Sequence, residues 1–215
     1  MGLFLDRRRM IASAQDFDLT SQSADDCPYD DNEAVCYHEA GHAVSAIILN
    51  VRFDHVSAIH SDEYRTGGRV AFGDHPCDWR LVNGSSIDHA ANYCISLMAG
   101  MAAQLRWQGN EADLKTCGVN DRDALDTACI LIAAKNLIAA QRDSREVKLI
   151  KAWAWREACL MMANPRACRA VCSLARHLDI SEQETATEND VAEIVAAEKV
   201  TYKPKRFSSR LLFVE

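Results

Sequence analysis

The stretch Ala34 to Asn50, AVCYHEAGHAVSAIILN, constrains this chain more than any other, because it sets His38, Glu39 and His42 in the order HExxH inside an apolar helical pattern. Residues four apart on a helix share a face, so His38 and His42 can offer two imidazole nitrogens to one zinc ion. Glu39 lies beside them, where its carboxylate can take a proton from water activated by such an ion and so ready it to attack a peptide carbonyl. The flanking residues suit a helix: Asp30, Asp31 and Asn32 are good starters, Glu33 falls in the first turn, and Val35, Ala43, Val44, Ile47 and Ile48 form the face expected to be buried. Ala40 and Gly41 are small, which suggests room for a substrate backbone near the metal at that turn.

The phrase YHEAGHAV resembles the zinc helix of the peptidase domain of the FtsH family of ATP-dependent metalloproteases, in which the same glutamate is the general base. The extended pattern HExxHxxGxxH fits less well, since Ser45 and Ile48 stand where it needs Gly and His. A second helix, capped by Ser85 or Ser86, runs through Ile87, Tyr93, Ile95, Leu97, Met98, Ala102 and Leu105. Its segment LMAGMAAQL is similar to the family's small-residue helix, usually written GGRAAEEL. Met101 and Gln104 replace an arginine and a glutamate, so packing by Gly100, Ala102 and Ala103 is kept and the charges are not. The phrase NPRACRAVCSLARHL resembles the family's late helix pair. The likeness covers Glu33 to Ala197, and it implies a mainly α fold with a small β-hairpin, an FtsH peptidase-domain-like helical bundle around the HExxH helix.

A catalytic zinc site needs a third protein ligand and an open position for water. In FtsH-like peptidases that ligand is an aspartate at a loop-to-helix junction in a phrase resembling G-A-x-N-D-L. This chain offers Gly118, Val119, Asn120, Asp121, Arg122 and Asp123 before a long apolar helix from Ala124 to Ala140. The resemblance points to Asp121. Asp123, Asp113 in GNEADLK, Glu111, and the histidines His55, His60, His75 and His89 stay open as alternatives, because an Asp-rich helix start also serves as a cap. Residues Arg52 to His60 and Gly67 to Gly73 read as two strands around a turn at Ser61 to Gly68. A strand in the corresponding place borders the family's cleft, which implies that Arg69, Val70, Ala71 and Phe72 receive an extended peptide through main-chain hydrogen bonds. An ordinary hairpin covering the helices is the competing reading.

Three further helices follow, the first opened by Asp143 or Ser144 and closed by Asn164-Pro165, the second from Arg166 to Asp179, the third started by Thr187 with Asp190 in a box-like cap. Residues 1–31, with Arg7 to Arg9 followed by a run of aspartates, read as a flexible arm; 32–200 as one peptidase domain; and 201–215 as a tail, frayed or docked. A net charge of −7 argues against nucleic acid or an anionic membrane as partner, and no apolar run is long enough to span a bilayer, so a cytoplasmic protein is expected. The nine cysteines include no CxxC pair and read as small hydrophobes; Cys168 and Cys172 in particular are expected to be core packing.

The function expected is zinc-dependent hydrolysis of peptide bonds. No GxxxxGK[ST] loop occurs, so substrates are expected to be peptides or unfolded proteins, presented where necessary by a separate ATPase or other partner. The alternative is a catalytically silent zinc-binding regulatory or interaction module of the same fold, favoured by the altered residues Met101 and Gln104 and opposed by Glu39.

Overall fold

The structure, a computed structural model, describes residues 32–58, 68–72, 87–109, 119–135, 141–142, 144–180 and 185–205. The expected arm, the turn at 61–67, the caps Ser85 and Ser86, Glu111, Asp113, His60, His75, Asp143, residues 136–140 of the long helix and residues 206–215 of the tail lie outside them. Six helices and three short strands appear among the described residues: α1 (Asn32–Leu49), β1 (His55–Ser57), β2 (Arg69–Val70), α2 (Ile87–Gln108), α3 (Val119–Lys135), α4 (Arg145–Met162), α5 (Pro165–Ile180), β3 (Thr185–Thr187) and α6 (Glu188–Ala197).

α1 runs through the middle of the bundle, packed chiefly against α2 and α5, with α6 and the strands around it. It is therefore buried on most sides. Cys36, Ala40 and Ala46 are as inaccessible as Val35 and Val44, while Ile47 and Ile48, expected in the buried face, are only half-buried. Such a helix shows little amphipathic contrast because it has almost no solvent side. Its end is closed by Asn50, which takes a left-handed conformation (φ 56°) while Val51 N–H bonds Ala46 O at 2.8 Å and Asn50 N–H bonds Ile47 O at 3.2 Å. Lys199 closes α6 in the same way (φ 50°). Asparagine bears that conformation at little cost and lysine at more.

α1 and α2 come together through small residues. A Cβ on Gly41 would fall 2.5 Å from the Ala99 carbonyl oxygen and 2.6 Å from Ala103 Cβ. This corrects the reading of Ala40 and Gly41: Gly41 is turned into the α2 interface and Ala40 is fully buried, so their smallness serves packing, not substrate approach.

The sheet also departs from expectation. β1 and β2 pair antiparallel with Val56 opposite Val70, but β3 adds to the far side of β1 with Val56 opposite Ala186, giving the order β2-β1-β3. The expected antiparallel pair is thus present and β3 extends it to a three-stranded sheet. β3 leads directly into the cap of α6, where Thr187 Oγ and the Asp190 N–H, and Asp190 Oδ2 and the Thr187 N–H, bond reciprocally.

The remaining helices keep their expected order with shifted ends. α3 starts at Val119, not at Ala124, so Asp121 lies in its first turn. Ser144 caps α4 through Val147 N–H. Asn164 accepts from the N–H groups of Arg166 and Ala167, capping α5 with Pro165 as its first residue. α3 is tied to α4 by Asp126, 6% exposed, which pairs with Lys151 and Arg142. The described part of the tail is docked: Tyr202 OH and Lys205 N–H both bond the buried Glu157 carboxylate of α4, each at 3.0 Å. Cys36, Cys94, Cys129 and Cys159 are core residues as expected, but Cys168 and Cys172 are half-buried. No helix among the described residues is long and apolar enough to cross a membrane.

On an open helix, replacing glycine by alanine gains about 1 kcal/mol. Gly41→Ala should instead lose about 1–3 kcal/mol, because backbone atoms of α2 occupy the space. Urea denaturation checks the sign; a variant as stable as the parent would contradict the close approach of α1 and α2.

Candidate metal centre

His38 and His42 meet edge to face, with ring centroids 4.6 Å apart at 77°. They are 4% and 2% exposed. α2 holds each ring from behind. His38 Nδ1 lies 3.1 Å from Gln104 Oε1, and His42 Nδ1 lies 2.7 Å from the Ser96 carbonyl oxygen. Both partners are acceptors, so each Nδ1 carries the hydrogen, and in the neutral ring it is Nε2 that presents the lone pair. Gln104 is oriented in turn, its amide nitrogen donating to Gln108 Oε1 at 2.9 Å.

The two Nε2 atoms are 3.0 Å apart, and Asp121 Oδ2 lies 3.0 Å from that of His38 and 3.2 Å from that of His42. Two lone pairs facing each other beside a carboxylate repel unless a cation or a proton lies among them. Tetrahedral N and O ligands about 2.0–2.2 Å from an ion stand about 3.3–3.6 Å apart, close to the spacing found. His38, His42 and Asp121 can therefore hold a metal ion. Asp121 is the least enclosed of them, its side chain 24% exposed, so the site opens on that side.

Two glycines shape the walls. A Cβ on Gly100 would lie 2.3–2.7 Å from Nε2, Cε1 and Cδ2 of His42, so the backbone of α2 rests on that ring. A Cβ on Gly68 would lie 2.5 Å from Glu39 Cγ, so the chain entering β2 rests on the glutamate. Phe72 closes a third side, edge-on to both His42 and Tyr93.

Glu39, 7% exposed, has its pKa pushed up, first by burial and then by the charge of Asp121, against the pull of both histidines and a backbone hydrogen bond from Val70. Burial also opposes a charge on His42, but the Asp121 carboxylate outweighs it and lifts the His42 pKa to about 9. For Asp121, burial would raise the pKa; the two histidines prevail and hold it well below the usual carboxylate range. In the metal-free chain a proton thus stands in for the cation.

The structure brings Asp121 to the histidines and leaves the other described candidates elsewhere. The Asp123 side chain is 65% exposed and pairs with Arg142. His55 and His89 are exposed and take no part in the cluster. Of Arg69 to Phe72, Val70 meets Glu39 through a backbone hydrogen bond, and β2 lies at the edge of the described sheet. Ala71 turns its N–H and carbonyl toward β1, bonding His55 and Asp54, while the Val70 carbonyl accepts from Phe72 N–H at 2.9 Å. Sequence reasoning missed Ser96, Gln104 and Gly68. A signal existed for the first two: Ser96, Gly100 and Gln104 recur every four residues in an otherwise apolar run, a polar-and-small stripe down one face of α2. Comparison of the chain with models of protein families and with curated proteins gives no match.

Two outcomes follow from this geometry. Removing the acceptor in Gln104→Ala should weaken metal binding about 10–100-fold, measured by competition with a chromogenic chelator, whereas Asp123→Ala should leave it unchanged. At pH 7, below the His42 pKa of about 9, that histidine is protonated without metal. Metal binding at pH 7 should therefore release about one proton per ion, falling toward zero as the pH passes about 9. Calorimetry in buffers of different ionisation enthalpy measures it, and a heat independent of buffer would refute the proton-held cluster.

Proposed function

We propose that this chain is a zinc-dependent metallopeptidase, related in design to the peptidase domain of the FtsH family, that hydrolyses peptide bonds in unfolded proteins or peptides. The observation that carries the proposal is that both Nε2 atoms and Asp121 Oδ2 lie within 3.2 Å of one another while each Nδ1 is committed to an acceptor on α2. An N,N,O set of neutral imidazoles and a carboxylate suits zinc. Among the described residues the cluster has three members, the number of protein ligands a catalytic zinc site takes.

Zinc bound there supplies Lewis acidity, acidifying water and polarising a carbonyl. The chain's own residues do the rest. His38 and His42 stay neutral and fixed in tautomer through Gln104 and Ser96. Glu39 takes the proton of the attacking water and returns it to the leaving amine nitrogen. Its burial supports that role, since a base whose pKa is raised toward the working pH both accepts and returns a proton readily. The altered Met101 and Gln104 are compatible with activity: Met101 is a core residue, and Gln104 supplies an acceptor that needs no charge.

Arg69 to Phe72 are the proposed substrate strand. Peptide added at the edge of β2 would run past Glu39, and pairing through main chain makes little demand on sequence. Such pairing requires Val70 to exchange both its present partners, the Glu39 carboxylate on its N–H and the Phe72 N–H on its carbonyl, for groups of the substrate.

Glu39→Gln should keep one zinc per chain and lower cleavage of a denatured protein by about 100-fold or more. Asp121→Ala should lose the zinc itself. Cleavage by Glu39→Gln at the parent rate would remove this mechanism, and zinc-loaded parent protein inert toward a panel of peptides and unfolded proteins would favour the silent module.

A further inference from the structure

Arg106, in the last turn of α2, and Cys168 and Cys172 on α5 form a cluster that the proposed hydrolysis does not use. Arg106 Nε donates to Cys168 Sγ at 2.9 Å. Cys172, one turn along α5, gives its S–H to the same sulfur, and the hydroxyl of Tyr37 on α1 donates to Cys172 in turn. We propose that Cys168 is a modification site, a thiolate that hydroperoxides oxidise to a sulfenic acid.

Two features set this sulfur apart among the described cysteines. It can be reached: Cys168 and Cys172 are half-buried, whereas Cys36, Cys94, Cys129 and Cys159 are enclosed. It is held as an anion by donors from two elements, the Cys172 thiol and the Arg106 guanidinium, with Arg169 adding its charge. The hydrogen bond from Cys172, then Arg106 and Arg169, outweigh the cost of partial burial and bring the Cys168 pKa down to about 6, while the proton they share is kept on Cys172. Burial alone does the reverse to Cys159, pushing it up to about 12.

The sulfur attacks one oxygen of the hydroperoxide; the O–O bond breaks, that oxygen joins sulfur as S–OH, and the departing hydroxide or alkoxide takes a proton from water. Sulfur is oxidised and the peroxide reduced, with no other reagent needed. The natural next step, a disulfide with Cys172, is blocked by the helix. Residues four apart carry Cβ atoms about 5–6 Å apart, whereas a disulfide needs about 3.5–4.5 Å. The sulfenic acid therefore persists, beside an α2 that also carries Gln104 and an α1 whose Tyr37 precedes His38.

The test uses the purified chain and does not depend on whether it cleaves peptides. Iodoacetamide labelling of each cysteine, followed by mass spectrometry across pH, should give a half-maximal rate at Cys168 near pH 6 instead of the ordinary value of about 8.5. Dilute hydrogen peroxide followed by dimedone should place the adduct on Cys168. Arg106→Leu should move the labelling midpoint upward. A midpoint near 8.5 in the parent chain, no dimedone adduct at Cys168, or an unmoved midpoint in Arg106→Leu would each overturn the proposal. The first two need no variant and stand even if the third fails to fold.

Discussion

Two imidazole nitrogens and a carboxylate oxygen crowd within 3.2 Å of one another in a place nearly closed to water. Such a cluster is costly to bury unless positive charge lies inside it, because solvent is no longer there to screen lone pair from lone pair. The surrounding structure is arranged to sustain that proximity. α1 presents the two rings on one face, α3 delivers Asp121 from its first turn, and α2 lies behind both rings with acceptors at the height of each Nδ1. The Asp121 carboxylate that lifts the His42 pKa to about 9 would draw a metal ion to the same place.

The precision of that arrangement depends on close helix contact. Gly41 and Gly100 let α1 and α2 approach until backbone touches side chain, so that Ser96 O reaches one imidazole and Gln104 the other. Asp126, buried and paired with Lys151 and Arg142, anchors α3 to α4 one turn beyond Asp121. The Asp121 carboxylate is thereby held by a rigid element, not by a free loop. Positioning of this kind, by residues that never touch the metal, is what separates a usable site from three donors that happen to be near one another.

The parts that were legible from residues alone share a physical property: they are local. HExxH on a helix places its histidines by the helical repeat, and the Thr187 and Asp190 cap depends on four consecutive residues. Where the reading erred, long-range contact had intervened. Gly41 was assigned to substrate approach because nothing in the chain near it shows that Ala99 and Ala103 fill the space. Gln104 was read as the loss of a charge, yet its carbonyl oxygen does the orienting work that a neutral acceptor can do as well as a carboxylate. β3 escaped notice since three residues, Thr185 to Thr187, carry almost no pattern, and only the open side of β1 makes them a strand. Cys168 looked like core because helical spacing says nothing of which neighbour brings an arginine to its sulfur.

The amino-acid order alone determined that His38 and His42 share one face of a helix, that Glu39 accompanies them, and that helices predominate, for these follow from spacing within one turn or from apolar periodicity. Which aspartate joins the histidines was settled by tertiary structure: Asp121 and Asp123 are two residues apart on α3, and only the packing of that helix against α2 and α4 turns the first inward and leaves the second to Arg142. So were the tautomers of both imidazoles, each governed by a partner more than fifty positions away, because an electrostatic environment is a property of what lies near in space.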